Sequence, residues 1–331
     1  MNAKLFFTSP IGILLTACFV CFLWGSSFPL IKIAYEVFMI EDTDTYTQIL
    51  FAGYRFFLAS LLLFLFLYLK QRHIRYLQGS LPAIIQIGFF QTALQYLMLH
   101  VGVSMTSGIE SSILTGSTTF FSIVIAHFMY VNDRLNWQKT IGLLFGFIGV
   151  VLATGNGSLG FSFGFGAIAL LIAAMSNAMG GILAKNKAKK LHPLYLTTYQ
   201  MLLGSLFLLT VGSVGSGFVP LTITKQSLGL LLYLAFVSAA GFFLWNTLMK
   251  YNNVGKISMY YFLIPVFGVI QSAWYLGETL NPIVFLSLLF VIIGILVVNK
   301  PENRAWTPVF VIRHWKEKFT RKVSTEKSYV K

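Results

Sequence analysis

Charge is what this chain has least of. Asp, Glu, Lys and Arg together make up 10% of 331 residues, against about a quarter in soluble domains. That shortage excludes a soluble surface over most of the length. Cysteine is scarce too: Cys18 and Cys21 form a single CxxC inside an apolar run, with no second pair or neighbouring histidine. They read as small packing residues rather than a redox or metal half-site, so no metal or cofactor is expected. A GxxxxGK[ST] loop is missing, which argues against ATP-driven pumping. HExxH and GxSxG are missing as well, which leaves a membrane-embedded enzyme without its usual constellations. His100, His127 and Glu110 could carry protons, but no carboxylate–histidine spacing marks a relay.

What is abundant is apolar sequence: 56% of the residues are hydrophobic, with a mean hydropathy of +0.76. Crossing a bilayer takes about 20 predominantly apolar residues per helix, and such runs follow one another almost end to end. Ten spans are predicted, at 11–35, 47–69, 81–103, 107–130, 138–154, 163–185, 194–213, 227–250, 256–277 and 282–299. The first runs through Trp24 and Pro29 without a small-residue cleavage site, so it is expected to be a retained helix and not a signal peptide.

The basic residues test that count. Cytoplasmic loops collect Lys and Arg, and with the N-terminus inside, 21 of the 24 fall in predicted inner segments and one, Lys225, in an outer loop. The remaining two, Lys32 and Arg55, lie within spans. A missing helix would flip every later loop and destroy this asymmetry. Both termini are therefore expected in the cytoplasm of a multi-pass protein of the cell membrane. The net charge of +14 has the same origin: these residues orient helices and meet anionic lipid, above all in the basic cytoplasmic tail at 300–331. No binding module accompanies them, so no nucleic-acid partner is expected.

The two halves repeat. At a separation of 145 residues Tyr54 matches Tyr199, Ser60 matches Ser205, VNDRLN (131–136) aligns with LGETLN (276–281), and Gly149 meets Gly294. Five spans per half is an odd number, so the second half enters the membrane upside down. The expected architecture is an all-α polytopic membrane protein, ten transmembrane helices as two inverted five-helix repeats (11–154 and 163–299). Inverted repeats are a recurring plan of secondary transporters.

Ionisable groups inside spans are costly, about 2.5–3.5 kcal/mol at a helix centre on insertion scales, and are candidates for function. Lys32, Arg55, Glu110 and Glu278 qualify. Glu278 and Asp133 fall in equivalent turns and read as turn residues, with Asn281 capping the tenth helix and Pro282 in its first turn. Lys32 and Arg55 either snorkel to the interface or face a pathway. Glu36, Glu41, Asp42 and Asp44 in the following loop make a gate of paired charges an expectation.

On the fourth span Ser107, Ser111, Thr115, Thr118 and Ser122 share one helical face, and Ser258, Tyr261, Pro265, Gly268 and Ser272 echo it on the ninth. Such faces either pack helices closely or line a cavity with uncharged hydrogen-bonding groups. Ser26, Ser27, Gln91, Gln95, Asn177, Tyr199, Gln200, Trp245 and Asn246 could join that lining, with Trp24, Phe28, Tyr96, Phe243, Tyr260 and Tyr261 as aromatic surfaces. Gly142, Gly146 and Gly149 read as a packing face.

WGSSFPLIK (24–32), YRFFLA (54–59), the run from YNNVGKIS to IPVFG in the ninth span, and LGETLNPIVFLSLLFVIIG together resemble the EamA-type members of the drug/metabolite transporter superfamily. The resemblance covers residues 11–299. It implies a polytopic carrier, in many cases a bacterial exporter of amino acids or related metabolites, with a central cavity lined by both halves. The first-helix motif of the family falls on Trp24, Gly25, Ser26, Phe28 and Lys32, and its second-helix arginine on Arg55. One departure stands out: Phe120 lies opposite Pro265, where the family often has a second proline, so a weaker kink is expected in the fourth helix. The expected function is secondary transport of a small-molecule solute, outward and by alternating access, with a monomer as the working unit and membrane lipids as the other partner. A sensor or lipid scramblase on the same fold is the alternative, and a membrane-embedded enzyme a more remote one.

Overall fold

The computed structural model of the protein describes residues 3–71, 76–154, 164–218, 221, 223–280 and 282–299. Among them every regular element is helical. In chain order these are α1 (Ala3–Thr8), α2 (Pro10–Phe38), α3 (Thr45–Gln71), α4 (Leu81–Gly88), α5 (Gln95–Ser104), α6 (Gly108–Thr115), α7 (Thr118–Met129), α8 (Trp137–Thr154), α9 (Phe165–Lys187), α10 (Pro193–Ser216), α11 (Lys225–Tyr251), α12 (Val254–Ser258), α13 (Leu263–Leu276) and α14 (Pro282–Asn299). A π-helical turn, Phe89–Leu94, joins α4 to α5, and a 3-10 turn, Met259–Phe262, joins α12 to α13.

Local sequence explains the starts and stops. Ser9 caps α2 by accepting from Gly12 N–H, with Pro10 in the first turn, where its missing N–H costs nothing. Asp44 does the same for α3, accepting from Thr47 N–H at 3.0 Å and from the Thr47 hydroxyl at 2.6 Å. Thr224 and Ser227 form a reciprocal capping box on α11. Asn281, expected as the cap of α14, lies outside the described residues, as does the basic tail.

Among the described residues eight segments are long and apolar enough to cross a membrane: α2, α3, α4–α5, α6–α7, α9, α10, α11 and α12–α13. The protein is a polytopic membrane protein. The fifth and tenth expected spans, α8 and α14, have 18 residues each and fall outside that set. They pack on each other: a Cβ at Gly142 would sit 2.8 Å from the Gly294 carbonyl, and one at Gly294 would sit 2.7 Å from the Gly142 carbonyl. The glycines thus let two backbones touch. Equivalent elements meet elsewhere too, α3 with α10, and the α2–α13 and α2–α11 contacts are matched by α6–α7 with α9 and α5 with α9. Large apolar side chains on the outer faces, such as Leu14, Leu15 and Phe22 of α2 and Leu61, Leu65 and Phe66 of α3, are exposed, as suits helices surrounded by lipid.

The fourth span breaks in spite of having Phe120 in place of a proline. Gly116 and Ser117 form tight i→i+3 bonds to the Ile113 and Leu114 carbonyls at 3.0 Å each, and Gly–Ser pairs are among the usual causes of helix kinks. The break also ends the expected continuous hydroxyl face: Ser107 is the N-cap of α6, and Thr115 and Thr118 flank the turn. A Cβ at Gly116 would lie 3.2 Å from the Pro265 ring, so the two kinks nest. The paired segments run antiparallel, with Gly108 beside Ser272, Gly268 beside Ser112, and Thr119 Oγ1 donating to the Ser258 carbonyl at 3.0 Å.

Candidate functional site

The centre of the molecule is organised by WGSSFPLIK. A Cβ at Gly25 would lie 2.8 Å from Gly268 N, so only glycine lets α2 lie this close to α13. That contact turns Trp24 inward, where its ring stacks on Tyr261 (5.9 Å, 13°) and meets Phe242 and Trp245 at 5.4 Å each. Trp245 and Tyr261 in turn lie 4.1 Å apart. Beside this aromatic cluster is a cavity of about 30 Å³, room for about two waters and not for a metabolite. Trp24, Ser27, Phe28, Arg55, Gln95, Tyr96, Thr115 and Asn177 line it together with Ile31, Leu99 and Ile264. Both halves of the chain contribute.

Arg55 is the charged member of that lining. It is completely buried and points inward, not to an interface. Its Nε–H donates to the Leu234 carbonyl (3.1 Å) and Ser238 Oγ (2.9 Å), and Nη2 donates to Ser27 Oγ (3.2 Å). The guanidinium carbon lies 5.3 Å and 5.6 Å from the ring centres of Phe56 and Tyr96, close enough for cation–π attraction. Nη1 has no partner among the described residues. The one salt bridge among them joins Lys139 to Asp133, so no carboxylate of the described residues pairs with Arg55.

The π turn carries Gln91 across to α11. Gln91 Nε2 donates to Asn246 Oδ1 at 3.1 Å, Asn246 Nδ2 donates back to Gln91 Oε1 at 3.2 Å, and Asn246 Nδ2 also reaches Thr197 Oγ1 at 3.0 Å. Single-turn π segments recur at functional sites; here the wider turn brings Gln91 against Gly180. One helix face further round, Thr92 Oγ1 donates to Gln200 Oε1 at 2.7 Å.

The two ends of the α6–α7 and α12–α13 pair are closed by matching carboxylates. Asp133, just after α7, accepts from Gly255 N–H in the first turn of α12 at 2.8 Å and from Lys139 Nζ at 2.7 Å. Glu278, just after α13, accepts from Gly108 N–H and Ile109 N–H in the first turn of α6, both at 2.8 Å. Carboxylates at helix N-termini satisfy free N–H groups and meet the positive end of the helix dipole. At the Asp133 end Tyr130 donates to Asn186 Oδ1 at 2.6 Å. Burial pushes the Tyr130 phenol up to about 12, so it keeps its proton at neutral pH. Lys185 donates to the Met249 carbonyl at 2.9 Å and to the Asn252 carbonyl, closing the C-terminus of α11 there.

The profile of the EamA-like transporter family matches this sequence twice, over residues 11–155 and 164–300. The chain belongs to the EamA-like transporter family. It is 27% identical over 292 residues to "Uncharacterized transporter YvbV" of Bacillus subtilis (strain 168), covering 86% of this chain and 90% of that protein. It is 25% identical over 295 residues to the "Probable amino-acid metabolite efflux pump" of Escherichia coli (strain K12), covering 85% and 92%. A solved crystal structure superposes with a TM-score of 0.72 at 14% identity, over 90% of this chain and 99% of that one, a likeness of fold.

Within this EamA-like transporter several expected pathway residues lie outside the cavity wall. Ser26 donates to the Leu23 carbonyl (2.7 Å) and pairs with the Tyr233 hydroxyl (3.0 Å), whereas its neighbour Ser27, in the cavity wall, is held by Arg55. Lys32 is half-buried on α2 and makes no ion pair within 4 Å among the described residues. Among the described residues no ion pair joins Lys32 or Arg55 to the carboxylates of the following loop: Asp44 caps α3, and Gln48 Nε2 donates to the Glu41 and Asp42 backbone carbonyls. Glu110 sits in the first turn of α6, its N–H bonded to Ser107 Oγ. Ser111 pairs with Thr106 (2.6 Å) and Thr118 donates to the Thr115 carbonyl (2.8 Å). Tyr199 belongs to a ring cluster with Phe64, Tyr76 and Tyr195, and the Tyr260 carbonyl accepts from Cys21 Sγ at 3.1 Å.

Two groups, Ser238 and Tyr35, went unnoticed in the sequence. Ser238 holds Arg55; its spacing of seven from Trp245 puts both on one face of α11. Tyr35 meets His100 Nδ1 through its hydroxyl at 2.6 Å. His127 instead accepts from Leu135 N–H at 2.9 Å, a structural bond at the Asp133 turn.

Proposed function

We propose that this transporter is a secondary carrier that exports amino acids or related small metabolites by alternating access between two inverted five-helix repeats. In this reading α8 and α14 are the fifth and tenth spans, both termini are cytoplasmic, and the membrane is the cell membrane. The Asp133 end then faces the cytoplasm and the Glu278 end faces outward.

One observation carries the reading: Asp133 and Glu278, 145 residues apart, each cap the broken helix of the opposite half. A carrier needs two gates that open in turn, and an inverted repeat supplies two equivalent ones. Nesting of Gly116 against Pro265, and the pairing of α3 with α10 and α8 with α14, support the same two-fold plan. The small cavity between the closed ends suits the occluded member of the cycle. The export of amino acids is supported by the name of the Escherichia coli relative.

The test is flux in proteoliposomes containing oriented, folded protein and a panel of amino acids and related metabolites. Saturable, protein-dependent release of at least one member is expected. Protein-dependent lipid flip-flop without solute flux would instead identify a scramblase.

A further inference from the structure

We infer that the N-terminal helix α1 is a strap that ties down the elbow between α11 and α12 and so opposes opening of the Asp133 end. The inference rests on the carrier reading above and adds a bias to it: an element outside both repeats makes the two gates unequal.

The elbow is two residues long. Asn252 and Asn253 are both extended, with ψ of 166° and 140°, and hinges are typically a few element-terminal residues of this kind. So abrupt an exit leaves the last carbonyls of α11 in need of partners. Lys185 Nζ donates to the Met249 carbonyl and to the backbone carbonyl of Asn252, and Asn252 Nδ2 donates to the Leu248 carbonyl at 2.9 Å. A side-chain amide has a second hydrogen, and this one goes to the Phe7 carbonyl in the last turn of α1, also at 2.9 Å. The carbonyls of Lys4, Leu5 and Phe6 accept from Thr8 and Ser9 nearby, whereas that of Phe7 is served from across the molecule. One amide thus closes two helix ends.

The side chains reinforce the tie. The Phe7 ring stacks on Tyr251, the last residue of α11 (6.5 Å, 14°). At its other end α1 is wedged against α2: a Cβ at Gly12 would run into the Phe6 carbonyl and lie 2.8 Å from Ser9 Oγ. Just beyond the elbow, Gly255 N–H is held by Asp133. The first half therefore grips this part of the second at two points, the Asp133 turn and α1. The Glu278 end has no counterpart of the second grip, because at the offset of 145 residues 3–8 correspond to 148–153, which lie within α8 (Trp137–Thr154) and its pairing with α14. α1 also precedes both stretches matched by the family profile, 11–155 and 164–300. An extra tie at one end of a two-fold plan makes that end the harder one to open.

The test uses the otherwise full-length chain in oriented proteoliposomes, with Cys18 and Cys21 changed to Ala and one reporter, Thr115→Cys, in the cavity wall. Labelling by an impermeant thiol reagent is measured from each side. A separate protein carrying Arg134→Cys, exposed beside Asp133, shows which side holds that turn. Deleting residues 3–8 should raise reporter labelling from the Asp133 side about fivefold or more, the scale of one neutral hydrogen bond with a ring contact, and should not raise it from the other. Gly12→Val, which dislodges α1 without touching α11, and Phe7→Ala, which removes the stack alone, should shift labelling the same way by less. Leu5→Ala, whose side chain is exposed, should change nothing. Labelling from the Asp133 side that is unmoved by these variants, or that rises equally from both sides, would overturn the inference. Phe7→Ala, the mildest change, keeps the test decisive if the deletion does not insert. Flux is followed on the same vesicles: a one-sided rise in labelling with no flux of any solute would uphold the strap and refute the carrier reading, whereas flux with labelling unmoved would do the reverse.

Discussion

Asp133 and Glu278 do the same work at opposite ends of one pair of antiparallel broken helices, each accepting backbone N–H bonds at 2.8 Å from the helix of the other half. Asp133 is also tied to Lys139, whereas Glu278 binds two N–H groups and no cation among the described residues. Both caps are in place in this structure. On the carrier reading proposed above, one carboxylate is released to open one side and the other to open the opposite side.

Removing either should therefore bias opening in opposite directions. With Cys18 and Cys21 changed to Ala and a reporter Thr115→Cys in the cavity wall, Asp133→Ala should raise labelling by an impermeant thiol reagent from one side of the membrane and Glu278→Ala from the other. The gain should be about tenfold or more, given ~1.5–3 kcal/mol for a hydrogen bond to a charged group. Increased labelling from the same side in both variants would contradict the paired-gate account.

The reciprocal amides of Gln91 and Asn246 bridge the π turn to α11. Asn246→Leu leaves the Gln91 amide buried and unpaired, a loss of about 1–3 kcal/mol. Its melting temperature in detergent should fall, and solute flux with it. The double variant Gln91→Leu/Asn246→Leu removes both partners and should recover part of the stability without recovering flux. An unchanged melting temperature in the single variant would remove this bridge from the account.

At the α8–α14 contact, Gly142→Val places its Cβ 2.8 Å from the Gly294 carbonyl and 2.1 Å from the Val298 side chain. Backbone cannot yield there as a flexible side chain would, so the helices must separate, at about 1–3 kcal/mol for overpacking. The fraction of monodisperse protein on size-exclusion chromatography should fall. The same change at Gly229, which has nothing within 4 Å of an added Cβ, should leave it unaltered.

Much of this was legible because the bilayer restricts the choices. With every backbone group needing an internal partner, apolar length and basic loops mark helices directly, and the ends of α2, α9 and α12–α13 lie within a few residues of their expected places. The internal offset of 145 residues likewise pointed to Asp133 and Glu278, although only as turn residues: their partners, Gly255 and Gly108, are set by tertiary pairing that no local pattern encodes. Thr115 and Asn177 were visible as polar residues in apolar runs. Ser107 and Ser111 were not separable from Thr115 by spacing, because all three precede the Gly116–Ser117 break and differ only in their bonding: Ser107 caps α6 and Ser111 pairs with Thr106. Arg55 was ambiguous for a different reason. Its depth along α3 allowed either snorkelling or a pathway role, and the groups that hold it inward, Ser27 on α2 and Ser238 and the Leu234 carbonyl on α11, come from helices that the local pattern does not place beside it.

The most direct measurement of the central claim is solute counterflow. Vesicles containing the protein are loaded with a high concentration of one unlabelled solute and diluted into a trace of the labelled form. Alternating access at a single site predicts a transient accumulation of label above equilibrium for at least one amino acid or related metabolite, abolished when the protein is omitted. Label that rises only to equilibrium, or does not enter at all for any solute tested on folded protein, would contradict it.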